Sequence, residues 1–106
     1  MKLVAVKDNQ RVKEFELQDG TNLVGRWDPS TGSFPEIDLE EVDTDARVSR
    51  RHALITFRPE SLTLEDLGSL NGTILPGGVR ATQEQRYTLK VGDTVVFGSV
   101  ALIIEE

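Results

Sequence analysis

Short runs that alternate between apolar and polar residues fill most of this chain, and glycine, asparagine, aspartate and proline interrupt them. A period of two residues is typical of strands that bury one face, and no segment shows the 3.6-residue period of an amphipathic helix. Turn-forming groups such as Gln18-Asp19-Gly20 and Val91-Gly92-Asp93 separate the runs. The pattern predicts an antiparallel all-β fold in which hairpins join most of the strands.

Eleven of these runs predict strands, a number that suits a β-sandwich of two sheets. They are Leu3–Lys7, Val12–Leu17, Asn22–Arg26, Glu36–Leu39, His52–Arg58, Ser61–Asp66, Thr73–Leu75, Val79–Ala81, Arg86–Leu89, Thr94–Phe97 and Val100–Glu105. The segment Trp27–Ala46 is long and acidic, and only Ile37-Asp38-Leu39 interrupts it. Long loops in compact domains are commonly functional or disordered. We expect a loop on the functional edge, with a solvated insertion over Asp28–Pro35 as the alternative.

Length and composition exclude several classes of protein. A chain of 106 residues that is 38% apolar suits a single domain, residues 1–106, with one modest core. The absence of cysteine excludes disulfides, thiolate zinc sites and thiol nucleophiles. No apolar run is long enough to cross a bilayer or to act as a secretory leader, so we expect a cytoplasmic protein that does not bind membranes.

The chain is acidic, with a net charge of −6, yet three short segments gather arginines, hydroxyls and an amide. They are Gly25-Arg26, the run Arg47–Ala53 and the turn Ser69–Thr73. Nucleic acid is an improbable ligand for an acidic chain, because its binding requires many phosphates to be neutralised together. Local positive charge instead favours a small anionic ligand such as one phosphate group.

The single histidine, His52, invites a catalytic interpretation. General-base catalysis would also need a nucleophile and an orienting carboxylate, and the sequence contains no motif that supplies them. No cofactor motif is present, and the carboxylates are too scattered to predict a metal site. We therefore expect a binding domain without cofactor or metal, not an enzyme.

The order and spacing of the polar blocks resemble a known family. Gly25-Arg26, Ser49-Arg50-Arg51-His52-Ala53 and Asp66–Thr73 are similar to the three signature blocks of the forkhead-associated (FHA) domain. Leu89–Asp93 resembles the family's late turn, so the resemblance covers nearly the whole chain. It implies an eleven-stranded β-sandwich that binds phosphothreonine peptides through loops at one end and acts in Ser/Thr kinase signalling.

The resemblance also implies roles for matching positions. Arg26 and Ser49 would contact the phosphate, and Arg50 would add a further phosphate contact. Asn71 would bond the peptide backbone. Arg47 would contact residues C-terminal to the phosphothreonine, where an acidic residue three positions along is a reasonable preference. The other positions expected at the site are Ser69 and Leu70 as ligand contacts and Gly25, His52 and Gly72 as structural support.

The chemistry of these side chains suits a phosphate ligand. Phosphothreonine carries about −1.5 to −2 charges and three acceptor oxygens, so its receptor needs charge-assisted donors held in place. Arg26 can supply a planar fork of donors, and Ser49 can supply its hydroxyl and its backbone N–H. Leu70 departs from family members that carry a hydroxyl residue there, so it can offer only its backbone.

Several alternatives remain open. Arg26 could pair with a nearby carboxylate such as Asp28. The sandwich could be a scaffold or self-association module that binds its partner without phosphate. The domain could also bind its own phosphorylated segment, since Thr44 lies between two aspartates in the manner of an acidic kinase substrate.

Overall fold

The computed structural model describes residues 1–106, which form a sandwich of two five-stranded sheets. The strands are β1 (Lys2–Lys7), β2 (Gln10–Glu16), β3 (Gly20–Gly25), β4 (Ile37–Asp38), β5 (Arg51–Arg58), β6 (Ser61–Asp66), β7 (Thr73–Ile74), β8 (Tyr87–Thr88), β9 (Thr94–Phe97) and β10 (Val100–Glu105). The strand orders are β2-β1-β10-β9-β7 and β4-β3-β5-β6-β8. All pairs are antiparallel except β3 with β4, which are parallel, so the predicted all-β sandwich is confirmed with one mixed sheet.

The alternating sequence pattern gives each sheet one face in a shared core. In β10, Val100, Leu102 and Ile104 are buried, whereas the residues between them are only half-buried. Phe97 is fully buried at the end of the neighbouring strand. Burial of each large apolar side chain stabilises the fold by about 1.5–3 kcal/mol. No helix of the structure has the length and apolar character needed to cross a membrane.

The prediction of a strand over Val79–Ala81 is wrong. After β7 the chain turns through a 3₁₀ segment, Pro76–Gly78, and comes back beside itself. The Leu75 N–H donates to the Val79 carbonyl at 2.7 Å, and only an isolated bridge between Ile74 and Arg80 follows. The other ten predicted strands are present, with ends that differ by no more than two residues.

Antiparallel pairing brings three loops to one end of the sandwich. Gly25 at the end of β3 lies opposite Arg51 at the start of β5, and Asp66 at the end of β6 pairs with Ala53. The loops that follow β3 and β6 and precede β5 therefore meet there. These are the segments in which the sequence concentrates its arginines and hydroxyls.

The segment Trp27–Ala46 is mainly loop, as predicted, with β4 as its one strand. The expected alternative of a solvated insertion over 28–35 is only partly met. Asp28 and Ser33 form an isolated antiparallel bridge, and Ser33 is buried. The Ser33 hydroxyl donates to the Arg50 carbonyl at 3.1 Å, which fastens this hairpin to the loop before β5.

Candidate functional site

A cleft of about 440 Å³ opens where the three loops meet. Its lining residues are Arg26, Ala46, Arg47, Val48, Ser49, Arg50, Arg51, Leu70 and Asn71. Four of these are arginines and none carries a carboxylate. The cleft is therefore locally cationic in a chain that is acidic overall, and it contains all of the predicted ligand-contacting residues except Ser69.

Ser49 is held at two points within the cleft. Its backbone N–H donates to Nδ1 of His52 at 3.0 Å, and its hydroxyl oxygen accepts from the Leu70 N–H at 3.1 Å. The expectation that the Ser49 backbone N–H is available to a ligand is therefore wrong, because that group is already bonded to His52. The Leu70 N–H is likewise bonded within the chain. The hydroxyl hydrogen of Ser49 remains available to donate.

His52 connects two of the three loops. It is fully buried, with its ring edge-on to Phe97 at a centroid distance of 5.7 Å. Because Nδ1 accepts a bond from Ser49, the proton lies on Nε2, which donates to the Gly72 carbonyl at 2.9 Å. Burial lowers the pKa of His52, in keeping with a neutral ring. The ring thus fixes the distance between the Ser49 loop and the Gly72 turn.

Two glycines permit the close approach of these loops. A Cβ atom on Gly25 would lie 1.9 Å from the carbonyl oxygen of Arg50, so no side chain fits there. Gly72 has a φ of +88°, a left-handed conformation that glycine adopts without strain. The local backbone therefore requires glycine at both of these positions, which were expected to support the site.

The guanidinium of Arg26 is oriented by the loop before β5. Its Nε donates to the Val48 carbonyl at 2.6 Å. Carboxylate oxygens of Glu40 and Asp43 lie 3.9 and 4.0 Å from its nitrogens, whereas Asp28 is not its partner. The side chain is about one-third exposed, at 34%. Its terminal nitrogens therefore have no close hydrogen bond within the chain.

Arg50 is the arginine that pairs with Asp28, through an NH1 to Oδ2 distance of 3.1 Å. The Ser30 hydroxyl, and to a smaller extent the charge of Arg50, lower the pKa of Asp28 against the opposing effect of desolvation. Arg47 and Arg51 also line the cleft but pair with no carboxylate. Arg50 thus forms an ion pair with Asp28, whereas Arg47 and Arg51 have no carboxylate partner.

Asn71 and Ser69 belong to the same predicted turn, but only Asn71 lines the cleft. The Asn71 side-chain amide donates to the Arg47 carbonyl at 3.0 Å, which leaves its Oδ1 unbonded. Ser69 is a correction to the expected ligand contacts. It is buried outside the cleft, and its hydroxyl donates to Asp66 at 2.7 Å. Ser69 therefore stabilises the turn from within.

Two buried aspartates shape the loops, a role that was not predicted from the sequence. Asp66 accepts bonds from the N–H groups of Gly68 and Ser69 and from the hydroxyls of Ser69 and Thr73. Burial raises the pKa of Asp66, but these bonds outweigh it and the net pKa is lowered. Asp43 accepts from the N–H groups of Arg47 and Val48 at 2.9 and 3.0 Å. An aspartate two residues before a Gly-Ser pair is a turn signal that could have revealed the first of them.

The FHA-domain family model matches residues 22–98 of the sequence. The chain belongs to the FHA family. This FHA domain is 31% identical over 108 residues to FraH from Nostoc, an alignment that covers 96% of the chain and 34% of FraH. It is 29% identical over 97 residues to FhaA from Mycobacterium tuberculosis, covering 92% of the chain and 16% of FhaA. The domain thus spans about a third and about a sixth of these two relatives.

Solved structures place the domain in the same family. The FHA domain of the CT664 protein from Chlamydia trachomatis has a TM-score of 0.75 and 31% identity, with 99% of this chain and 95% of that one covered. The FhaA FHA domain, solved in complex with the intracellular domain of Rv3910, has a TM-score of 0.73 and 28% identity, with 96% of each chain covered. FHA domains are phosphothreonine-recognition modules, and their phosphothreonine-dependent interactions have been studied on another similar structure.

Proposed function

We propose that this domain is a cytoplasmic module that binds phosphothreonine-containing segments of partner proteins in Ser/Thr kinase signalling, and that it catalyses no reaction. One observation carries the proposal. Arg26 and Ser49, which come from different loops, face one cationic cleft, and each is fixed by bonds that leave donors free. Donors that are fixed before binding lose less conformational entropy when they meet an anion.

The phosphate would sit between these two side chains. Ser49 would donate its hydroxyl hydrogen to one oxygen, and Arg26 would direct its terminal nitrogens to the others. Arg50 would join them on leaving Asp28, because a phosphate dianion attracts a guanidinium more strongly than a single carboxylate does. Asn71 would accept a peptide N–H through its free Oδ1 while its amide continues to hold the Arg47 carbonyl.

The threonine methyl group is the remaining part of the ligand to be recognised. One buried methyl contributes about 0.8 kcal/mol, which corresponds to only about a fourfold preference over phosphoserine. Leu70 lines the cleft, and the residue is 84% exposed. Its backbone N–H bonds the Ser49 hydroxyl oxygen, and its side chain would contact that methyl and form one wall of the slot.

The test is titration with an oriented phosphothreonine peptide library, with phosphoserine and unphosphorylated libraries as controls. We expect selective retention of phosphothreonine peptides and its loss in Arg26→Ala. Arg58→Ala removes an arginine from the far end of β5 and should leave binding intact. Binding that ignores phosphate and survives Arg26→Ala would refute the proposal and favour a phosphate-independent scaffold.

A phosphorylated copy of this chain is a second candidate ligand. Thr44 is exposed on the loop between β4 and β5, and its hydroxyl oxygen accepts from Lys7 at 3.0 Å. It does not line the cleft, so a second copy would receive it. After kinase treatment we expect phosphate on Thr44 and weaker binding of an external phosphopeptide. Unchanged binding after stoichiometric phosphorylation would exclude this ligand.

A further inference from the structure

Three of the chain's unpaired arginines lie at the end of the sandwich that holds the cleft. The chain has 18 acidic and 12 basic residues, so most of its cations find carboxylates. Four of the eight arginines have no carboxylate partner, namely Arg47, Arg51, Arg58 and Arg80. The first two line the cleft, and Arg58 lies at the opposite end of β5. The fourth, Arg80, does not line the cleft but lies against Gly72, the residue that follows the cleft residue Asn71.

Arg80 lies over Gly72, the residue after Asn71. A Cβ atom on Gly72 would fall 2.8 Å from Nε of Arg80 and 2.9 Å from its Cζ, so the guanidinium occupies the space that a side chain would fill. Asn71 lines the cleft and bonds the Arg47 carbonyl. Two guanidinium-bearing residues therefore flank the Asn71-Gly72 turn, Arg47 bonded to Asn71 and Arg80 resting on Gly72.

The backbone around Arg80 is fixed by hydrogen bonds, although the residue is exposed. Its backbone bridges Ile74, the Leu75 N–H donates to the Val79 carbonyl at 2.7 Å, and the Ala81 N–H donates to the Thr73 carbonyl at 2.8 Å. A guanidinium on a fixed backbone, resting against a glycine, loses less freedom on binding than one on a mobile loop. It also presents a planar fork that matches a carboxylate.

We propose that Arg80 is a specificity-determining ligand contact that, together with Arg47, selects phosphothreonine peptides bearing carboxylates on the Asn71 side of the cleft. The inference rests on the proposed function and on the acidic preference that the resemblance implies for Arg47. What it adds is a second cationic contact, Arg80. Exposed ion pairs are individually weak. The expected contribution of Arg80 is therefore a change of about twofold to fivefold in affinity.

The test uses two phosphothreonine peptides that differ only in flanking residues, glutamates in one and glutamines in the other, measured by fluorescence anisotropy. The wild-type domain should prefer the glutamate peptide. Arg80→Gln should weaken that peptide about twofold to fivefold and leave the glutamine peptide unchanged. Arg58→Gln makes the same change in net charge at the far end of the sandwich and should preserve the preference.

The outcomes separate the two proposals. An equal loss for both peptides in Arg80→Gln would show that Arg80 only covers Gly72, and an equal effect of Arg58→Gln would show that net charge alone matters. Either result overturns the inference while phosphate-dependent, Arg26-dependent binding persists. Binding that is independent of phosphate overturns the proposed function and the inference together. Arg80→Lys keeps the positive charge that Arg80→Gln removes, so it should retain part of the glutamate preference.

Discussion

The Ser49 hydroxyl oxygen accepts a hydrogen bond from the Leu70 backbone N–H at 3.1 Å, across 21 residues of sequence. A second bond, from the Ser49 N–H to His52, fixes the same residue from the other side. Both bonds use groups that a ligand could otherwise have contacted. They leave the Ser49 hydroxyl hydrogen as the single oriented donor of this residue, beside the guanidinium of Arg26 in one cleft.

Ser49→Ala should abolish that donor without unfolding the domain. Hydrogen bonds to charged groups contribute about 1.5–3 kcal/mol, so affinity for a phosphothreonine peptide should fall at least about tenfold. Isothermal titration calorimetry measures the affinity and thermal denaturation the fold. Ser61→Ala, an exposed serine at the opposite end of the sheet, is the matched control. Equal affinity of Ser49→Ala and wild type would contradict the assigned role.

Asp28→Asn should strengthen phosphopeptide binding. The Asp28 carboxylate holds Arg50 at 3.1 Å, and a ligand phosphate must compete with it. An amide keeps the shape and the Ser30 contact but removes the charge, so we expect a gain of about twofold to fivefold. The gain should vanish when Arg50→Ala is combined with it. A gain of the same size in the Arg50→Ala background would mean that Asp28 acts only through general repulsion.

Acidification should destabilise the domain through His52. Burial lowers the pKa of His52 below its ordinary value of about 6.5, so below that pH the unfolded chain binds the proton more readily than the folded chain. This contribution to stability is complete above about pH 6.5 and is lost as the pH falls towards the folded pKa. Melting temperatures between about pH 5 and 7 should decline with acidity, and His52→Gln should flatten the slope. An identical slope in the variant would rule out His52 as the titrating group.

Gly25→Ala should destabilise the fold because its Cβ would lie 1.9 Å from the Arg50 carbonyl oxygen. Relief of such a clash requires the loop before β5 to move, at a cost of about 2–3 kcal/mol. Gly77→Ala is a useful control, since Gly77 has a φ of +85° but nothing within 4 Å of its Cβ position. Its cost should be about 1 kcal/mol. Chemical denaturation measures both, and equal costs would refute the steric argument.

The sequence predicted most of the fold because a period of two residues is a local property of each strand. It failed at Val79–Ala81, where the Leu75 to Val79 bond closes a tight return that no alternation reveals. Within the site, the residues of the cleft were found through short motifs. The pairing of Arg50 rather than Arg26 with Asp28 was not. Arg26 lies only two residues from Asp28 in sequence, whereas Arg50 is 22 residues away and meets Asp28 only through the fold.

The most direct test of phosphothreonine recognition is nuclear magnetic resonance titration of the ¹⁵N-labelled domain with a phosphothreonine peptide taken from the library and with its unphosphorylated form. We expect the phosphorylated peptide alone to shift amide signals, and the shifts to centre on Arg26, Ser49–Arg51 and Leu70–Asn71. Equal shifts with both peptides, or shifts confined to another face of the sandwich, would contradict the account.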